Sequence, residues 1–138
     1  MENDKRRVRA CTEADVEGLK RIHAESGFPY AFPSLSDPLF VSKLVVEDAD
    51  GRVKMAAMAR LTCEMYLVVN RDERDARQRW RDLLALHAAG AADVAGKGLE
   101  DAHAWLPPTI AKRFGRRLET LGWVRDDTWT PYCRRLPE

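Results

Sequence analysis

Cysteine and histidine are scarce in this chain. Its 138 residues hold three of each, Cys11, Cys63, Cys133 and His23, His87, His103, all far apart. There is no C-x-x-C pair and no close His/Cys spacing, so no structural zinc site is legible. An odd, scattered set of thiols also excludes a disulfide framework, and they read as small buried or half-buried groups. No apolar run approaches the roughly 18 residues of a membrane-crossing helix. The charged start, Met1-Glu-Asn-Asp-Lys-Arg-Arg7, lacks the apolar centre of a signal peptide, so a cytoplasmic location is the expectation. Repeats, linkers and low-complexity segments are missing as well, which predicts a single domain over 1–138, long enough to bury a core. The net charge is only +1, which argues against a partner held by bulk electrostatics such as nucleic acid.

Glycine is missing where it would matter most. The run Glu64-Met-Tyr-Leu-Val-Val-Asn70 reads as a strand and leads directly into Arg71-Asp-Glu-Arg-Asp-Ala-Arg-Gln-Arg-Trp80. A strand-to-helix junction exposes orphan N–H groups and is a common phosphate site. Here the junction has no glycine, and acids occupy its first turn. Asp72 and Glu73 would repel a phosphate, while Arg71, Arg74 and Arg77 could oppose that with bidentate contacts or pair with the intervening acids.

What is present reads as alternating strands and helices. Arg7 to Cys11 is a short strand. Thr12 caps a helix over about 13–25, with Glu13 and Asp15 in its first turn and Gly27 as the stop. Phe28 to Ser36 is a Pro- and aromatic-rich loop, either a substrate-side wall or a packed connection, and Asp37-Pro38 opens a short turn. Lys43 to Glu47 and Arg52 to Leu61 form strands around a hairpin turn at Asp50-Gly51. Glu64 to Val69 is the next strand. Asn70, with Glu73 three residues on, caps a helix over about 71–95. Trp80, Leu83, Leu84, His87, Ala88, Ala91 and Val94 make one helical stripe, which places His87 at a core edge. Asp101 to Leu106 is a strand stopped by Pro107-Pro108. Thr109 to Leu121 is a helix with Ile110, Phe114, Leu118 and Leu121 on one side and Lys112, Arg113, Arg116 and Arg117 on the other. Two closing strands follow, from Trp123 and from Trp129. The class is α+β, a mixed, mostly antiparallel sheet with helices on both faces.

This order resembles the GCN5-related N-acetyltransferase (GNAT) superfamily over nearly the whole chain. Val8-Arg-Ala-Cys-Thr-Glu-Ala-Asp15 is similar to the family's first strand and first helix start. Asp50-Gly-Arg-Val53 resembles its central hairpin, Glu64 to Val69 its fourth strand, and Phe114-Gly-Arg-Arg-Leu-Glu-Thr-Leu-Gly-Trp123 its last helix. The resemblance implies an acyl-CoA-dependent N-acyltransferase. Acetyl-CoA would lie along Leu67, Val68 and Val69, with its pyrophosphate near Arg71, Arg74 and Arg77. A small-molecule or peptide amine would be the acceptor. Glu64 is then the candidate base, unless it is only a surface pair with Arg60, and Tyr66 the fallback acid. Similar proteins commonly pair C-terminal strands between subunits, which leaves a homodimer open. The family's phosphate loop reads approximately Arg/Gln-x-x-Gly-x-Gly/Ala, and a tyrosine often stands where this chain has Leu118. Those two departures support an alternative: a non-catalytic binding or interaction module on the same fold that has lost CoA. Nucleic-acid binding through the basic face at 112–117 is a third reading, without a specific motif behind it.

Overall fold

The computed structural model describes residues 5–136; the first four residues of the charged start lie outside them. The chain is α+β and divides into two compact units, Met1–His103 and Ala104–Glu138.

In the first unit, β1 (Arg7–Ala10), β2 (Phe40–Glu47) and β3 (Val53–Arg60) form an antiparallel sheet in the order β1-β2-β3. The hairpin between β2 and β3 is organised by Asp48, whose carboxylate accepts the Asp50 and Arg52 N–H groups at 3.0 and 2.9 Å. Gly51 takes the left-handed conformation, φ 79°, that such a turn needs. The register shifts between Val46 and Glu47, leaving Lys54 without a pairing partner. This bulge lets Val53 and Ala56, three residues apart, both pack on the core.

After β1, the Thr12 N–H and hydroxyl both donate to Asp15, at 2.7 and 3.2 Å. A 3-10 turn over Glu13–Asp15 runs into α1 (Val16–Ser26), and Gly27 ends the helix at φ 69°. Leu19 of α1 meets Val45 of β2 and Leu35 of the connecting loop. These three are buried, Val45 to 1% exposure, with Val16, Ile22, Phe32, Phe40 and Met58 packed around them. The 28–36 loop is thus a packed connection through Phe32 and Leu35. Its other rings, Phe28 and Tyr30, stack with centroids 5.4 Å apart beside His23 and stay exposed. Arg9 staples sheet to helix, donating to Glu47 at 2.7 Å and twice to Asp15 at 2.8 Å. The other face of the sheet differs from the expected helix-covered one: Val8, Leu44 and Met55 are exposed on it.

The continuation is shorter in strand than its sequence predicts. Instead of strands over 64–69 and 101–106, β4 is Cys63–Glu64 and β5 is Ala102–His103, a parallel pair separate from the main sheet. Strand preference is realised only against a partner's backbone. α2 spans Ala76–Gly96, starting five residues later than the expected 71. The side chain of Asn70 accepts the Asp72 N–H at 2.9 Å and its carbonyl accepts from Glu73, which makes a local turn in place of a helix cap. The cap is Asp75 instead. Along α2, Trp80, Leu83, His87, Gly90 and Val94 are half-buried, whereas Ala88, Ala91 and Leu84 of the expected stripe are exposed.

The second unit contains α3 (Pro108–Thr120), with Pro108 at its first position, where proline's missing N–H costs nothing. Phe114, Leu118 and Leu121 are half-buried, and Lys112, Arg113, Arg116 and Arg117 are exposed, as the periodicity predicts; Ile110 is exposed too. The helix closes with Trp123 N–H donating to Leu118 C=O at 3.2 Å. The two closing strands expected after it are absent: residues 123–136 contain no strand. Local bonds serve this segment, with Asp126 accepting from the Thr128 hydroxyl and N–H at 2.6 and 3.2 Å.

Candidate functional site

The end of β4 gathers most of the residues to which the sequence assigns chemistry. The β4–β5 ladder is held by Cys63 N–H to Asp101 C=O at 3.3 Å and Met65 N–H to His103 C=O at 2.8 Å. Just before β5, Glu100 and Asp101 are clamped by Arg60 at the end of β3, at 2.6 and 2.7 Å, and Asp37 lies 4.0 Å from the same guanidinium. A surface pair with Arg60 is the alternative to a catalytic Glu64. Arg60 is committed to these three acids instead.

The Glu64 carboxylate holds the Tyr66 phenol above its ordinary value. A phenol beside a carboxylate resists losing its proton, so Tyr66 is a group that keeps a proton to give at neutral pH. Both candidate catalytic residues are exposed, Tyr66 to 81%.

The candidate cofactor residues follow directly. Leu67, Val68 and Val69 belong to no strand and are exposed, Val68 to 93%. Their backbone makes no ladder, which corrects the expected fourth strand but leaves amide and carbonyl groups available to a ligand. Met65 points the other way, its Cε lying 3.4 Å from where a Cβ on Gly90 of α2 would sit.

At the helix start, the carboxylate of Asp75 accepts the N–H groups of Arg77 and Gln78 at 3.0 and 3.3 Å. A protein carboxylate thus occupies the donors that a phosphate would use at a helix N-terminus. Glu73 is also turned inward, accepting the Asp75 N–H at 3.1 Å, while its own C=O takes the Arg79 guanidinium at 2.7 Å. The acids here bind backbone, not arginines. Among the described residues Arg71, Arg74 and Arg77 are exposed and make no ion pair. A pyrophosphate beside this turn fits guanidinium side chains; it does not fit the capped helix end.

No family model, curated protein or solved structure matches the chain. Among the described residues no three His, Cys, Asp or Glu side chains are arranged to hold a metal ion, and no helix is long and apolar enough to cross a membrane.

One further residue stands at this edge that the sequence did not single out. His103 is the register partner of Glu64 across the parallel ladder. Histidine scarcity and wide spacing conceal it: 39 positions separate the two in sequence, and only strand pairing makes them neighbours.

Proposed function

We propose that the chain is an acyl-CoA-dependent N-acyltransferase of GNAT type that acetylates a small-molecule or peptide amine at the end of β4. The observation behind this reading is the exposed pair Glu64 and Tyr66, two residues apart, set immediately before the exposed, unladdered backbone of 67–69. Acetyl-CoA supplies an activated acyl thioester. The backbone of Leu67 to Val69 pairs with the amides of its pantetheine arm, and the side chains of Arg71, Arg74 and Arg77 neutralise its phosphates. Glu64 draws the proton from the attacking amine and Tyr66 protonates the departing sulfur.

Thermal denaturation with CoA, acetyl-CoA and sulfate tests the reading. A ligand that binds only the folded state adds about 1.4 kcal/mol at ten times its Kd, enough to raise Tm by several degrees. Millimolar CoA without effect, with sulfate equally inert, rejects it.

The Asp75 cap favours a second reading, a non-catalytic interaction module on the same fold. It accounts for the filled helix start and the missing glycines without any phosphate. Micromolar CoA binding by the monomer would count against it.

A further inference from the structure

We propose that two copies of this chain pair reciprocally, the open face of each β1-β2-β3 sheet receiving α2 of the other copy. Residues in register across an antiparallel sheet share a face. The face opposite the core holds three such rows. Val8, Val46 and Met55 form one, and Ala10, Leu44 and Ala57 the next. Ser42 and Ala59 form the third. None of these side chains carries a charge. Val8, Leu44 and Met55 are 65%, 43% and 68% exposed, and the three alanines are exposed as well. The water-facing side of an antiparallel sheet is ordinarily polar. A contiguous apolar one marks an interaction surface.

The occupant that fits is α2. From Leu83 to Gly96 its only charged residue is Asp93. One side of this helix, with Leu83, Gly90 and Val94, is half-buried, and Met65 lies against Gly90. The adjoining side is exposed, with Leu84, Ala88, Ala91 and Ala95 recurring at helical spacing. Alanines on both surfaces let helix and sheet approach closely. Dimensions agree too. Strands about 4.8 Å apart make a three-stranded platform about as wide as one helix, ~10 Å. The helix from Leu83 to Gly96 rises about 20 Å, against about 26 Å for β2.

Area favours a reciprocal pair of copies. The sheet face measures about 14 by 26 Å, near 400 Å². One helix laid on it is well short of the roughly 800 Å² that each partner gives to a stable interface. In a twofold pair each copy contributes both its sheet face and its helix face, which doubles its share to about that size. Neither face sets a like charge against its mate. This surface is also distinct from the C-terminal strands through which the family resemblance implies a homodimer, because residues 123–136 contain no strand.

Sedimentation velocity on the full chain, from micromolar to millimolar concentration, tests it. The wild-type chain should pass from monomer to dimer. Met55→Lys and Ala88→Glu put opposite charges on the two faces, both at exposed positions. Each alone buries an unpaired charge in both contacts and should weaken the dimer about 100-fold or more. Mixed, they should associate again, since the heterodimer has one contact that pairs the two charges and one that is wild type. Val68→Lys, exposed and on neither face, should leave the dimer intact. A wild-type chain that stays monomeric throughout overturns the proposal without any variant. A dimer lost in Met55→Lys but kept in Ala88→Glu overturns it as well, because the sheet face then has another occupant. So does a mixture of the two variants that remains monomeric.

Discussion

The sheet of β1, β2 and β3 and the short pair of β4 and β5 are built in opposite ways. In the first, a hairpin and an antiparallel neighbour supply long ladders, and Leu19, Leu35 and Val45 close a dry centre under them. Arg9 then ties strand, hairpin end and helix start into one charged network. In the second, two residues pair with two residues, and every large side chain from Tyr66 to Val69 is exposed. The difference teaches where stability and chemistry separate. The sheet holds the fold by burial, whereas the β4 end keeps backbone and polar groups accessible, which burial would forbid.

The largest break in this contrast comes from the core. Leu19→Ala should lower unfolding free energy by about 2–5 kcal/mol in urea titration, the range for emptying a buried leucine site. Val68→Ala, at an exposed position, should change it by less than about 0.5 kcal/mol. Equal losses at both positions would erase the distinction.

Acid should act on the sheet unit first. Arg9, then Thr12, holds the Asp15 carboxyl well below the usual carboxylate range, and Arg9 likewise lowers Glu47. A depressed folded value means the unfolded chain binds more protons in acid. The stabilisation is therefore complete above the ordinary carboxylate range near pH 4 and is lost as pH falls below it. Asp15→Asn should cost about 1–3 kcal/mol at neutral pH, the worth of hydrogen bonds to a charged group. It should also flatten the fall in Tm between pH 4 and 2, read from melts across that interval.

Smaller effects are expected at the α2 start. Asp75→Ala removes two bonds to N–H groups and should cost about 1 kcal/mol. If phosphate competes with Asp75 for those donors, the same change tightens CoA binding, as seen by calorimetry. If the arginines alone hold it, affinity stays constant and falls instead in Arg74→Ala. The smallest effect is spectroscopic. Glu64→Gln should leave Tm nearly unchanged and bring the phenolate absorbance of Tyr66 back toward the ordinary tyrosine midpoint. A midpoint that stays high would mean that Glu64 is not its partner.

The legible parts of the fold are those governed by neighbours in sequence. Thr12 announces the first helix, Asp50-Gly51 the hairpin, and the apolar and basic spacing over 109–121 the body of α3. The start of α2 was also written locally, in Asp75 and Gln78 three residues apart, but Asn70 and Glu73 offer the same pattern five residues earlier. The Asx turn at Asn70 decides between them. The strands from Glu64, Asp101, Trp123 and Trp129 misled for a different reason. Their residues favour extended backbone, yet a strand exists only as far as another chain segment lies alongside it.

The candidate site divides in the same way. Sequence by itself determined the α+β class, the amphipathic helices, and a glycine-free turn rich in arginine after a largely apolar segment. These follow from side-chain chemistry and short-range geometry, which need no distant partner. Only tertiary structure decided that Arg60 binds Glu100 and Asp101 and not Glu64, and that His103 pairs with Glu64 across the ladder. Each of those is a contest among acceptors and donors far apart in the chain, and it is settled by which backbones hydrogen-bond to each other.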